Sequence, residues 1–162
     1  MSYFREQLFK KSPGAPLVVI RVGLGICYLI SSWDKISRES YAKSMDFIFN
    51  VHWKDAAYGF YQSFLDTLVL PNLEFWAFVV TWGELAIGLA FVFGLFTRAA
   101  AVAAIFLGIN ILFASGGLTF FRSADIGFIL GSWTLFVCSA GRVMGFDALL
   151  IQRSGKPTGW KR

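Results

Sequence analysis

The sequence is poor in the residues that hold redox metals. Its 162 residues include one histidine and two cysteines, and Cys27 and Cys138 lie in separate apolar runs. A membrane-embedded b-type haem needs axial ligands, usually two histidines, and iron–sulfur clusters need sets of cysteines. P-loop and dinucleotide-binding fingerprints are also absent from the sequence. No cofactor is therefore expected to be held by a ligand motif, and each cysteine is expected to pack as a small buried residue.

Charge is scarce as well. Only 15% of the residues are charged, against about 25% in soluble domains, while 56% are hydrophobic and the mean hydropathy is +0.60. The net charge of +5 does not indicate nucleic-acid binding, because the basic residues fall near predicted membrane boundaries and not in a patch interleaved with aromatics. The composition predicts an integral membrane protein.

Four apolar runs are long enough to be candidate transmembrane helices, which need roughly 20 residues. They cover residues 17–33, 75–96, 99–118 and 124–141. We expect a single all-α transmembrane domain over residues 1–162, built as a four-helix bundle. A very short turn joins the second and third runs, so these two should form an antiparallel hairpin.

The distribution of positive charge predicts the topology. Nine basic residues lie on the side that holds both termini and the turn at 97–98, against five on the other side. The nine are Arg5, Lys10, Lys11, Arg98, Arg142, Arg153, Lys156, Lys161 and Arg162. By the positive-inside rule both termini should face the cytoplasm. The expected location is the inner (cytoplasmic) membrane, with several spans.

The long connection at residues 34–73 should lie outside. Phe60, Phe64 and Leu68 recur at four-residue spacing, with Tyr61 and Leu65 beside them, which predicts an amphipathic helix that ends at Pro71. This helix either covers the mouth of the bundle as plain structure or forms a cap that binds a substrate or partner. The sequence leaves both alternatives open.

Glu84 lies near the middle of the second run, about 15 Å deep at 1.5 Å per residue. A carboxylate at that depth is costly and normally faces the bundle interior with a partner. Arg21 is the only basic residue inside a predicted span, so we expect Arg21 and Glu84 to interact directly or through an intermediary, with Asn110 as a further polar candidate. The pair either pins two helices together or lines a cavity that binds a ligand or relays a proton.

A second group of charges is expected at the outer mouth of the bundle. Asp34, Lys35 and Arg38 follow the first run, and Arg122 and Asp125 precede or begin the fourth. They are either solvated interfacial charges or a small polar site over the bundle that holds an anion.

Two stretches together resemble the DoxX/DoxD family of small four-helix membrane proteins. They are IRVGLGICYLISSWDKI at residues 20–36 and ELAIGLAFVFGLFTRAAAVAA at residues 84–104. The resemblance covers about residues 15–142. The matching positions are Arg21, Gly25, Trp33, Lys35, Glu84, Gly88 and Gly94 to Arg98. The sequence departs from the family pattern at Ser31 and Ser32, where a glycine is common before the aromatic residue.

The resemblance implies a membrane subunit linked to redox work, since DoxD-like members are associated with thiosulfate:quinone oxidoreductase. In that hypothesis Glu84 and Arg21 act catalytically at a quinone head group, while Asp34, Lys35, Arg122 and Asp125 receive a small anion or a soluble partner. The alternative is a non-catalytic accessory subunit of a larger membrane complex; a transporter or channel is a weaker third option. The expected partners are membrane lipids and other membrane or redox subunits. The sequence leaves open whether the protein also forms a homo-oligomer.

Overall fold

The computed structural model describes residues 14–38, 40–53, 57–116, 123–138, 140, 145 and 147. All the regular elements in this part of the chain are helical. The long helices are α1 (Gly14–Ser37), α4 (Leu73–Phe93), α5 (Thr97–Ala114) and α6 (Ser123–Val137). Between α1 and α4 lie α2 (Tyr41–Phe47), which continues as a π-helical stretch (Ile48–Trp53), and α3 (Gly59–Phe64), which continues through a π-helical stretch (Leu65–Val69) and a 3-10 turn (Leu70–Asn72).

The predicted all-α membrane bundle is confirmed. Within the described residues, three helical stretches are long and apolar enough to cross a bilayer: α1, the continuous Gly59–Phe93 and α5. The fourth predicted span, 124–141, contains α6, which is apolar but has 15 residues. At 1.5 Å per residue α6 is about 22 Å long. That length is short of the ~30 Å hydrocarbon core, and residues 139 and 141 lie outside the described part.

The four long helices form a ring in which α1 packs on α4, α4 on α5, α5 on α6 and α6 on α1. Their shared core contains apolar side chains from all four helices. Its buried members are Tyr28, Ile87, Phe91, Ala100, Ala101, Ala104, Leu135 and Ala140. We call the end of this bundle that carries the α4–α5 turn the hairpin end, and the opposite end, covered by residues 41–53 and 59–72 (the cap), the cap end.

Helices α1 and α4 approach closely through two glycines. A Cβ on Gly25 would lie 2.8 Å from the Val92 Cγ2 and 3.0 Å from the Gly88 carbonyl oxygen, and a Cβ on Gly88 would lie 2.9 Å from Leu29. Such contacts allow backbones to pack tightly in lipid, where small residues favour helix association. The structure corrects the expectation that both cysteines are buried: Cys27 is exposed and Cys138 is half-buried.

The hairpin end is closed by a turn that a distant residue caps. Gly94 ends α4 with a left-handed backbone, φ +68°. The Asp147 carboxylate accepts hydrogen bonds from the backbone N–H groups of Phe96 (2.8 Å) and Thr97 (3.0 Å), and its own N–H donates to the Gly94 carbonyl (2.9 Å). A carboxylate here satisfies free N–H groups at the start of α5 and complements its dipole.

The cap has its own apolar core, which reaches onto α4 and α5 through Ala77 and Ala114. Its amphipathic helix was predicted to present Phe60, Phe64 and Leu68 as one apolar face. In the structure Phe60 and Leu68 are exposed, by 67% and 50%, whereas Leu65 and Val69 are buried. The buried face of this segment is therefore centred on Leu65 and Val69, and not on Phe60 and Leu68.

The helix was predicted to end at Pro71. In the structure the helical path continues through Pro71, but it changes there to a 3-10 turn (Leu70–Asn72). Proline has no N–H and clashes with the preceding turn of an α-helix. The Leu68 carbonyl accepts hydrogen bonds instead from the side chains of Trp76 (Nε1, 3.0 Å) and Asn72 (3.3 Å). Helix α4 then starts at Leu73, without an intervening loop.

Candidate functional site

A buried cluster of polar groups surrounds Glu84 at the middle of α4. The Glu84 Oε2 accepts a hydrogen bond from the Ser31 Oγ (2.9 Å) and forms an ion pair with the Lys35 Nζ. The Lys35 Nζ also donates to the Ser31 Oγ at 3.0 Å. Residues four apart lie on one face of a helix, so α1 presents Ser31 and Lys35 together to α4. Both charged side chains are largely buried, with 5% of Glu84 and 12% of Lys35 exposed.

Arg21 does not form the predicted pair with Glu84. Arg21 lies at the hairpin end, buried to 2% exposure, where its Nη1 donates to the Ala140 carbonyl at 3.0 Å and its charge faces Asp147. The reason is the register of two antiparallel helices: Arg21 packs beside Gly94. Glu84 is ten residues from Gly94, about 15 Å along α4. Arg21 therefore links α1 to Ala140 near Asp147, and Lys35 lies beside Glu84.

A cavity of about 330 Å³ lies between the bundle core and the cap, against the Glu84 cluster. Its walls come from the cap, α4 and α5, and most of the lining side chains are aliphatic or aromatic. The polar or charged side chains at its surface are those of Lys35, Tyr41, Tyr61, Glu84 and Asn110. An apolar chamber with a few convergent polar groups is the usual form of a small-molecule site.

Tyr61 and Asn110 form a second polar point on the wall of this cavity. The Tyr61 hydroxyl donates to the Asn110 Oδ1 at 2.7 Å, and the Asn110 Nδ2 donates to the Phe106 carbonyl at 2.7 Å. Asn110 was a candidate partner for the intramembrane charges, but the structure pairs it with the cap. The bond ties α3 to α5 across the cavity.

Tyr41 connects the cap to the charged cluster. The Lys35 Nζ lies 5.4 Å from the centroid of the Tyr41 ring, a favourable cation–π distance. Burial, together with the negative charges of Glu84 and Asp34 and against the opposing charge of Arg38, raises the pKa of Tyr41 to about 12. The phenol is therefore protonated at neutral pH and can donate a hydrogen bond.

The structure separates Lys35 from Asp34 among the charges that were expected at the outer mouth, either as solvated charges or as a small polar site. Lys35 turns inward to Glu84, whereas the neighbouring Asp34 is exposed and pairs with Arg38 at 2.7 Å, one turn further along the helix. Asp125 lies in the first turn of α6 and, like Asp34, does not line the cavity. Arg122 lies outside the described residues.

Sequence reasoning missed Ser31, Tyr41 and Tyr61 as members of the site. A signal for Ser31 was present: it departs from the family's usual glycine, and it lies four residues before Lys35 on the same helix face. No comparable signal marked Tyr41, and Tyr61 was marked only as part of the apolar face of the outer helix, because the positions of both depend on how the cap folds over the bundle.

The cluster can bind an acceptor atom in the cavity. A lysine ammonium has three N–H donors, and Glu84 and Ser31 account for two of the donors of Lys35. Among the described residues, no group of three or more His, Cys, Asp or Glu side chains is placed to hold a metal ion. The arrangement suits recognition of a polar head group, such as a carbonyl, on an otherwise apolar molecule.

Several apolar helices around a buried ion pair define a small, multi-pass membrane protein. The chain belongs to the DoxX family, whose model matches residues 17–117, or 101 of the 162 residues. DoxX is a family of membrane proteins often linked to oxidoreductase-associated subunits. The match includes the cap, α4, α5 and nearly all of α1. Comparisons with curated proteins and with solved structures found no match.

Proposed function

We propose that the protein is the membrane subunit of a quinone-linked oxidoreductase and that the cavity under the cap binds the quinone head group. The observation that carries the proposal is the Lys35–Glu84–Ser31 cluster at the wall of an apolar cavity of about 330 Å³. This volume is near the lower end of the range for ligand sites, about 300–1,000 Å³. It suits one substituted ring better than a large ligand.

The charges of the cluster fit such a head group. The Lys35 ammonium can donate its third N–H to a quinone carbonyl, and its positive charge favours the negative charge that reduction places on that oxygen. Glu84 supplies a counter-charge directly beside the Lys35 ammonium. Glu84 and Lys35 are therefore the residues we propose to act at the ligand, in place of the sequence-based pair of Glu84 and Arg21.

The electrons must come from another protein. The sequence holds one histidine and two cysteines, too few for a haem or iron–sulfur centre of its own. We propose that a redox subunit docks at the membrane protein, with a reduced sulfur compound such as thiosulfate as the donor suggested by the DoxD-like resemblance. The proposed setting is the inner (cytoplasmic) membrane, with both termini in the cytoplasm.

Quinone binding to the purified protein tests this function. We expect a short-tailed benzoquinone to bind the wild-type protein in lipid nanodiscs, and Lys35→Met to weaken the affinity by about 10- to 100-fold, since a hydrogen bond to a charged donor contributes about 1.5–3 kcal/mol. Lys43→Met is the matched control, because Lys43 is exposed in the cap and does not line the cavity. Equal affinities of the two variants, or a wild-type protein that binds no quinone, would contradict the proposal.

Lys35→Met also leaves a buried carboxylate without its counter-charge, so loss of folding must be separated from loss of binding. The double variant Lys35→Gln/Glu84→Gln removes both charges and keeps N–H donors at the cavity wall. We expect this variant to fold and to retain part of the quinone affinity. Thermal unfolding of each purified variant verifies the first point.

An accessory role is the second candidate, and one surface favours it. Phe75, Phe78 and Trp82 are exposed along one side of α4, and the rings of Phe78 and Trp82 lie 5.9 Å apart. Such a stripe can pack against a transmembrane helix of another subunit. Purification in mild detergent discriminates: a stable, quinone-binding protein isolated alone supports the first function, whereas recovery only within a large complex, without quinone affinity, supports the second.

A further inference from the structure

The cap closes the cavity on the side of the cap end. Four side chains that line the cavity there are buried in the cap core: Met45, Phe49, Leu65 and Val69. They belong to both segments of the cap, which meet over the cavity and pack on α4 and α5. A ligand that came from the water on this side would have to displace this packed apolar cover.

The side of the cavity that α4 and α5 form differs from the side that the cap covers. Val79 on α4, and Ala103 and Phe106 on α5, line the cavity and are also exposed. The exposed fraction is 40% for Val79 and 69% for Phe106. A side chain that is both lining and exposed marks the rim of an opening. These three residues therefore border an opening between two neighbouring helices, which we call the α4–α5 gap.

The α4–α5 gap faces lipid. Val79 is six residues into α4 and Phe106 is nine residues into α5, about 9 and 14 Å from the starts of their helices. Both helices belong to stretches that can span a membrane, so these positions lie at the depth of the acyl chains. The bordering side chains are apolar, which suits passage of hydrocarbon.

We infer that the ligand enters from the bilayer through the α4–α5 gap, and that it is a ring-bearing carbonyl compound whose apolar tail stays in this gap. The inference rests on the proposed function and adds the entry route of the ligand and the place of its apolar tail. The cavity has space for a head group but not for a long chain as well. A tail must leave the cavity, and in the described part of the chain the gap leads directly to lipid.

Binding of two quinones that differ only in the tail tests the inference. We compare a benzoquinone without a tail and its decyl derivative in lipid nanodiscs, using wild type, Ala103→Trp and Val102→Trp. Val102 is the matched control, since it is exposed on the same helix and does not line the cavity. We expect Ala103→Trp to weaken binding of the decyl compound by about tenfold or more, with the other affinities changed less than about threefold.

The outcomes separate the two proposals. A wild-type protein that binds neither quinone defeats the proposed function, and the inference with it. If the wild-type protein binds both quinones, and Ala103→Trp weakens both equally or neither, entry through the α4–α5 gap is overturned. The proposed function is then unaffected.

A photoreactive group at the end of the decyl tail gives a second readout that does not depend on folding of a variant. We expect it to label peptides of α4 and α5 that contain Val79 or Phe106. Labelling confined to the cap, at residues 41–53, would overturn the inference.

Discussion

At the scale of single residues, the environment of Glu84 explains how a carboxylate is tolerated in this bundle. An acidic side chain at the centre of a span costs at least about 2.5 kcal/mol on insertion scales. Glu84 recovers part of this cost through the Ser31 hydroxyl and the Lys35 ammonium. Breaking such a buried pair is more damaging than removing both partners, because the remaining charge has lost its compensation.

A double-mutant cycle tests this account. We expect Glu84→Gln to lower the free energy of unfolding by roughly 3–5 kcal/mol, because it leaves Lys35 buried without a counter-charge. Lys35→Met in the same protein should restore much of that loss. Thermal or denaturant unfolding in detergent measures both effects. Two losses that simply add would show that the side chains do not interact.

Burial of Glu84 could be predicted from the sequence, but its partner could not. The cost of a charge in lipid depends on depth, which the length of the apolar run already gives. The partner depends on register, and Lys35, on the same helix as Arg21, was assigned to the outer mouth and not to Glu84. Arg21 was predicted as the partner because it lies inside the predicted span. Lys35 lies just beyond that span, and its side chain reaches inward to Glu84.

At the scale of helices, the α1–α4 pair determines that register. The two helices run antiparallel and cross where Gly25 meets Val92 and Gly88 meets Leu29. Once this crossing is fixed, Arg21 falls beside Gly94 and Ser31 falls beside Glu84. The close approach at the glycines therefore assembles the charged cluster.

Adding a methyl group at the crossing should disturb it. We expect Gly25→Ala to destabilise the protein by about 1–3 kcal/mol, because the new Cβ would overlap Val92 and backbone atoms of α4. Gly23→Ala is the control on the same helix, where a Cβ meets nothing within 4 Å. It should be neutral or stabilising by up to about 1 kcal/mol, since alanine is a better helix former. Similar melting temperatures for the two variants would count against the crossing.

The capping of α5 by Asp147 gives a second prediction at this scale. Asp147→Ala should cost about 1–2 kcal/mol, because the N–H groups of Phe96 and Thr97 lose their acceptor. Asp34→Ala should cost less than about 0.5 kcal/mol, since its pair with Arg38 is exposed. Unfolding of the two variants under one set of conditions provides the comparison, and an equal loss for both would refute the capping role.

Helix positions could be predicted closely from apolar runs. The runs at 17–33, 75–96 and 99–118 correspond to α1, α4 and α5 within a few residues. Their packing faces were less predictable: a row through Gly23 and Cys27 fits four-residue spacing as well as the true interface at Gly25. Sequence spacing marks a face, but only the partner helix decides which face is buried.

At the scale of the whole molecule, the protein has two apolar cores with a cavity between them. The bundle core holds the long helices together, and the cap core joins the cap to α4 and α5. That a cap covers the bundle followed from the amphipathic pattern of residues 34–73. The cavity could not be predicted from the sequence, because an empty volume depends on how two separately packed cores meet.

The orientation of the molecule in the membrane stays a prediction from the positive-inside rule. We expect Lys43→Cys, in the cap, to react with a membrane-impermeant maleimide on intact cells. Ala99→Cys, at the hairpin end, should react only after lysis, and both positions are exposed in the structure. Replacing Cys27 and Cys138 removes background labelling. The reverse pattern would invert the topology.

The central claim is that Lys35, held by Glu84, donates a hydrogen bond to a carbonyl group in the cavity. Infrared difference spectroscopy of the protein with a quinone carrying a ¹³C-labelled carbonyl measures this bond directly. We expect the labelled carbonyl band to shift to lower frequency on binding to the wild-type protein, and Lys35→Met, but not Lys43→Met, to abolish the shift. A bound quinone whose carbonyl band is the same in wild type and Lys35→Met would contradict the claim.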